Sequence, residues 1–175
     1  LAPQAEVEPA PKLHCLLPTA QLVATRLDSL PNVAIQWTSA SGNILAGAQS
    51  LTPTIAAEGA YHLLLTHLDN GCTTEISVPV TADFQAPVAQ ITPAPALNCT
   101  TLQLDLHATA SSASSQILYD WTASNGGHLV SGDTSSAPNI DQPGDYTLLV
   151  TDPVNGCTTT ASILVALDQT PPSAD

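Results

Sequence analysis

Two tandem antiparallel β-sandwiches, an all-β architecture, are what this sequence predicts, and three observations carry that expectation. The 175-residue chain repeats itself at a fixed interval. Its apolar residues alternate with the period-two spacing of half-buried strands. Turn-forming clusters (Ser-Gly-Asn, Asn-Gly-Gly, Pro-Gly-Asp, Asn-Gly-Cys) separate those strands every ~8–12 residues.

The repeat comes first because it sets the boundaries. "LAPQAEVEPAPKLHC" at the start and "QAPVAQITPAPALNC" in the middle share one frame. A constant offset carries Pro3, Pro9, Pro11 and Cys15 onto Pro87, Pro93, Pro95 and Cys99. The same offset carries Gln85 and Pro87 onto Gln169 and Pro171 in the tail "QTPPSAD". The expected organisation is therefore one repeat over 1–84, a second over 85–168, and the start of a third, or a linker, over 169–175.

Each copy then reads as about seven short strands. "LQLDLHA" sets Leu102, Leu104 and Leu106 on one face, opposite Gln103, Asp105 and His107. "VAIQW" and "ILYDW" alternate through Val33, Ile35 and Trp37 and through Ile117, Tyr119 and Trp121. "YHLLL" and "YTLLV" form a further pair, and "ISVPV" and "ASILVAL" close each copy. Trp37 and Trp121 occupy the third strand, where a sandwich places a large residue between its sheets. Tyr61 and Tyr146, each in Gly-x-Tyr at the start of the sixth strand, have the placement of a tyrosine corner. Asn-Gly-Cys-Thr-Thr recurs from Asn70 and from Asn155, and its Asn-Gly predicts a tight type I′ hairpin with the cysteine opening the last strand. Together these elements predict sandwiches of immunoglobulin type.

Four cysteines, two per copy, suit one disulfide in each domain in an oxidising compartment, Cys15 with Cys72 and Cys99 with Cys157. Each bond is expected to tie the end of the first strand to the start of the last. Zinc fits poorly, since no CxxC occurs and no histidine recurs beside the cysteines.

Composition narrows the function. Hydrophobic residues make up 43% of the chain, too many for disorder. No apolar run approaches the ~18 residues of a membrane-crossing helix, and no signal peptide is visible. Two Lys plus Arg stand against 15 Asp plus Glu, a formal charge of −13. That field repels nucleic-acid phosphates and anionic membranes.

No residue set predicts catalysis. His14, His62, His67, His107 and His128 fall at non-equivalent positions in the two copies and read as surface histidines. No Gly-x-Ser-x-Gly occurs, and no acidic pair recurs inside the repeats. Aromatics are 3% of the chain, and those that recur belong to the core. That leaves Tyr119, which matches Ile35 and is expected to face inward, and Phe84, which is expected to pack the two domains together rather than to bind a sugar. Lys12 is the only lysine, so an intramolecular isopeptide staple is excluded from the second copy. Junctional calcium is the one cofactor considered, through Asp83 and Asp168 at the ends of the final strands, but no Asp-x-Asp-x-Asp loop accompanies them.

The frame "WTASNGGHLVSG … PGDYTLLVTDPVNGCTTTASILVALDQTPP" resembles the Ig-like or PKD-like repeats of very large bacterial surface proteins, especially Bacteroidota adhesins. Its closing Cys-x₇-Val and Asp-x-x-Pro-Pro are similar to hyalin-type repeats. After the Trp strand the chain carries Ser-Gly-Asn and Asn-Gly-Gly where PKD repeats carry Gly-Asp-Gly, so "Ig-like repeat" describes the resemblance best. It implies no enzyme but rigid, disulfide-stapled spacers in an extracellular bacterial filament, stalk or giant adhesin. Their partners would be neighbouring repeats, with lateral or homo-oligomeric assembly through sheet edges. The rival expectation is a module of a secreted protein that binds carbohydrate, protein or calcium.

Overall fold

The structure, a computed structural model, describes residues 1–112 and 116–170. The tail from Pro171, where the start of a third repeat was expected, lies outside the described residues. The chain divides into two compact units, Leu1–Phe84 and one that begins at Gln85.

The first unit runs β1 (Ala5–Val7), β2 (Leu13–His14), β3 (Ala20–Gln21), β4 (Ala24–Arg26), β5 (Val33–Ser39) and β6 (Ile44–Ala46). It continues with β7 (Thr54–Ile55), β8 (Gly59–His67), β9 (Thr73–Val80) and β10 (Ala82–Asp83). In one layer β1 pairs with β4, while β7 pairs with both β3 and β6, all antiparallel. The amides of Leu22 and Ala24 bond to Pro53 and Leu51, so β3 and β4 act as one interrupted strand. The other layer is β5–β8–β9, antiparallel throughout. β10 prolongs β9 and pairs in parallel with β2.

The first strand therefore changes layers, as β1 in one and β2 in the other. Pro9 and Pro11 fall in the crossing between them. Neither has an N–H to leave unpaired there, and each fixes its own φ.

The second unit repeats the plan with β11 (Val88–Ile91), β12 (Leu104–Asp105), β13 (Ala108–Ser111) and β14 (Leu118–Ser124). β15 (Leu129–Ser131), β16 (Asn139–Ile140), β17 (Gly144–Thr151) and β18 (Thr158–Val165) complete it. One layer holds β11–β13 and β12–β16–β15, and the other holds β14–β17–β18. A parallel bridge between Leu97 and Leu167 stands where β2 meets β10 in the first copy.

The cores lie between the layers, as period-two patterning requires. On β8, Tyr61, Leu63 and Leu65 are fully buried, as are Tyr146, Leu148 and Val150 on β17. Trp37 and Trp121 fill the middle, each donating its indole N–H to a carbonyl, Ser50 O at 3.0 Å and Ser135 O at 2.9 Å. Leu13 and Leu97, two residues before the first cysteine of each copy, are also core residues.

Two local expectations change. Leu102 is 69% exposed and the strand it was placed on is reduced to β12, because the core takes Leu106 and not the whole alternating run. The Asn-Gly hairpins are four-residue loops, Leu68–Gly71 and Pro153–Gly156, not two-residue type I′ turns. Asn70 and Asn155 do not take positive φ; Gly71 and Gly156 do, at 72° and 70°. Those glycines close the loop through Gly71 N to His67 O (2.8 Å) and Gly156 N to Asp152 O (2.7 Å).

Candidate functional site: the two poles of each repeat

Each copy has a head pole, where the chain comes in, and a tail pole, where it leaves. The Asn-Gly-Cys-Thr-Thr motif builds the head pole. Asn70 Oδ1 accepts from the Cys72 amide at 2.9 Å, and its Nδ2 donates to Leu1 O at 3.3 Å. Asn155 does the same with the Cys157 amide (2.9 Å) and Gln85 O (3.0 Å). The second threonine of the motif completes the grip. Thr74 Oγ1 donates to Pro3 O at 2.5 Å and Thr159 Oγ1 to Pro87 O at 2.6 Å, and both prolines are buried. The motif is thus a clamp on the incoming strand as well as a turn. Only its turn chemistry is readable from local sequence.

The tyrosine corner holds the other side of the sandwich. Tyr61 O–H donates to Ala57 O at 2.7 Å and accepts from Asn43 N at 3.0 Å. Tyr146 donates to Gln142 O and accepts from His128 N at 3.0 Å. Burial pushes the Tyr146 phenol up from its ordinary pKa. Gly42 is required beside Tyr61, since a Cβ there would lie 2.4 Å from the ring carbon that carries the hydroxyl.

The cysteines fall at opposite poles, which corrects the expected pairing. Cys15 follows β2, beside β10 at the tail, whereas Cys72 precedes β9 at the head. The eight residues of β9 alone separate those ends by about 27 Å. A disulfide needs Cα atoms within about 7 Å. Cys99 and Cys157 are parted in the same way by the length of β18. One disulfide per copy, Cys15 with Cys72 and Cys99 with Cys157, is therefore not formed. Cys15 and Cys157 are disulfide-bonded, and Cys72 and Cys99 are free thiols.

The carboxylates considered for calcium have other partners. Asp83 receives Lys12 Nζ at 3.0 Å. Asp168 accepts from the Thr170 hydroxyl and the Thr170 amide, which hold its carboxyl below the usual range. Among the described residues, no group of three or more His, Cys, Asp and Glu could hold a metal ion. The second cation, Arg26, pairs with Asp28, which also accepts from the Gln4 and Leu30 amides. The Gln4 amide is the largest of the causes that depress the Asp28 pKa.

His67 departs from the surface reading: it is 8% exposed, with Nδ1 buried and unpartnered. Its counterpart Asp152 is 2% exposed and accepts from Ser112 Oγ (2.7 Å) and Val154 N (2.9 Å). His67 ends β8 and Asp152 directly follows β17, each just before the head-pole loop. His128 meets Asp141 at 2.7 Å on the surface. Phe84 is 45% exposed. A hollow of about 470 Å³ beside Gln36 and Gly47–Ser50 has no titratable side chain in its lining.

Comparison with solved structures supports the architecture. The eight N-terminal Ig domains of the Down syndrome cell adhesion molecule match with a TM-score of 0.51 at 13% identity. The match covers 96% of this chain and 24% of that one. The fold is immunoglobulin-like. Its A–B–E–D layer is β1, β3/β4, β7 and β6, and its C–F–G layer is β5, β8 and β9. Three N-terminal domains of the outer capsid protein Hoc of bacteriophage RB49 match at 19% identity and a TM-score of 0.44, over 95% of this chain and 58% of that one. The I67–I69 fragment of titin matches at 12% identity and a TM-score of 0.41, over 97% and 67%. No protein-family model and no curated protein matches the sequence.

Proposed function

We propose that this chain is a pair of structural repeats from an extracellular bacterial filament, stalk or giant adhesin, working as rigid spacers without catalytic activity. One observation carries the reading. The bonds that recur in both copies all anchor the chain to its own sandwich, whereas the chemistry-bearing residues do not recur. The head-pole clamp, the tyrosine corner and the Trp–carbonyl bond are each present twice. Histidines and ion pairs differ from copy to copy. Selection for a reproducible bead fits that pattern better than selection for a site.

The acidic surface supports the same role. Lys12 and Arg26 are the only Lys and Arg, and each is paired with an Asp. The remaining carboxylates leave a net negative field that keeps a long array soluble and apart from other acidic surfaces.

A display experiment tests the proposal. One copy or both are placed between a cell-surface anchor and an adhesive tip of known target. A spacer keeps target capture with either insert and shortens the reach when one copy is removed. Capture of glycans, matrix proteins or calcium by the two copies themselves, without the tip, would refute it.

A further inference from the structure

The chain contains three Asn-Gly pairs, at Asn70, Asn125 and Asn155. In such a pair the backbone nitrogen of the glycine is well placed to attack the preceding side-chain amide, because no Cβ shields it. The three pairs have different surroundings. At Asn70 and Asn155 the side-chain oxygen and nitrogen are both held by the head-pole clamp. The attacking nitrogens are held as well, since Gly71 N donates to His67 O and Gly156 N to Asp152 O. Asn125 and Gly126 instead lie exposed at the tip of the turn between β14 and β15. Neither Gly126 N nor Asn125 Oδ1 has a hydrogen-bond partner among the described residues, and Asn125 is engaged through Nδ2, which donates to Asp145.

We propose that Asn125–Gly126 is a self-modification site, where the second copy converts Asn125 to aspartate and isoaspartate and so loosens its own tyrosine corner. The first copy carries Ser-Gly-Asn at this turn and has no such site. Asn125 and Gly126 both take positive φ, 51° and 96°, and Gly127 N closes the turn on Ser124 O at 3.0 Å. This is the two-residue I′ arrangement, and a single backbone bond holds it, so little has to break before Gly126 N reaches the side chain. The turn is also seated on the corner. A Cβ on Gly144 would lie 2.3 Å from Gly127 N, one on Gly127 would lie 3.0 Å from the Tyr146 ring, and His128 N donates to the Tyr146 hydroxyl. The proposal is independent of the spacer role, because its test reads a covalent change and not attachment.

The chemistry needs only water. Gly126 N gives its proton to hydroxide and forms a bond to Asn125 Cγ. The Cγ–Nδ2 bond breaks, and the nitrogen leaves as ammonia after taking a proton from water. Water then opens the succinimide ring: cleavage at Cγ yields aspartate, and cleavage at the main-chain carbonyl carbon of residue 125 yields isoaspartate. One water enters, one ammonia leaves, and nothing is oxidised or reduced. Aspartate replaces the donor to Asp145 with a like charge. Isoaspartate adds a carbon to the main chain inside a two-residue turn, which then no longer fits beneath Tyr146.

The test holds the native protein at mildly alkaline pH beside the same protein unfolded in urea. Peptide masses locate the converted residues, and enzymatic methylation counts isoaspartate. In the native protein Asn125 should react at least about tenfold faster than Asn70 or Asn155, whose clamp bonds must break first. In urea the three rates should converge. Aged native protein should exchange amides 146–150 several-fold faster while 61–65 stay protected, and Asn125→Gln should show neither change. Four outcomes overturn the proposal: equal native rates at the three sites, faster reaction at Asn70 or Asn155, native Asn125 intact after the unfolded chain has reacted, or conversion with exchange at 146–150 unaltered.

Discussion

Replacing Tyr61 with Phe removes one oxygen and leaves the ring. The lost hydroxyl satisfies two backbone groups, the Asn43 amide at 3.0 Å and the Ala57 carbonyl at 2.7 Å. The ring is fully buried, so its packing contribution is unchanged. Each orphaned buried group costs about 1–3 kcal/mol when no water replaces the partner. The loop is close to the surface, so partial rehydration is expected, and the net loss should be about 2 kcal/mol. With a urea slope of about 1 kcal/mol/M for a unit this small, the midpoint of the first copy should fall by about 2 M. Peptide-resolved hydrogen exchange in urea assigns the loss to the correct copy, with residues 59–80 losing protection while 144–165 keep theirs. Tyr146→Phe should reverse the pattern. A loss below about 0.5 kcal/mol in both variants would refute the corner as a structural anchor.

Thr74→Val and Thr159→Val remove the clamp on the incoming strand, so amides in β1 and β11 should exchange several-fold faster, a loss of about 1 kcal/mol; unchanged exchange there would separate the motif from strand anchoring. Asp28 has a folded pKa below its unfolded value, so its stabilising share is complete above the ordinary carboxylate range and disappears as pH falls through the lower folded pKa. Asp28→Asn should lower the melting temperature at neutral pH and flatten its decline below about pH 4, and identical acid profiles would remove Asp28 from the account. Iodoacetamide on native protein should label Cys72 and Cys99 alone, with Cys15 and Cys157 appearing only after reduction. Calcium should leave the melting temperature unchanged, since Asp83 pairs with Lys12 and Asp168 is held by Thr170, and a stabilisation of several degrees would restore a metal site.

What was legible in the sequence is what depends on local periodicity. Tyr61, Leu63 and Leu65 announce a half-buried strand because their spacing matches the pleat, and the two Trp and two Tyr declare their core roles by recurring. Cysteine pairing was not legible, because chain spacing does not say which end of a strand a residue occupies. The first strand's change of layer puts Cys15 at the tail pole, and that change depends on long-range pairing of β2 with β10. The burial of His67 was missed for a different reason. His67 continues the inward register of Tyr61, Leu63 and Leu65, so the alternation held the signal and the polarity of the residue type concealed it. The clamp function of Asn70 and Thr74 joins residues about seventy positions apart, and no local rule reports that.

The parallel pairing of β2 with β10 also settles how each copy bears tension. β2 comes early in the repeat and β10 ends it, and near the tail pole the two run side by side, pointing the same way. Pulling the two ends apart slides one strand along the other, so the Leu13–Thr81 bond and its neighbours are strained together instead of being unzipped in turn. In the second copy Leu97 and Leu167 stand in the same relation, with Leu97 bonded to Ala166 and Asp168. Loaded in shear, a short ladder yields only when several hydrogen bonds break at once. A few residues at the tail pole thereby set the force at which the whole repeat begins to open.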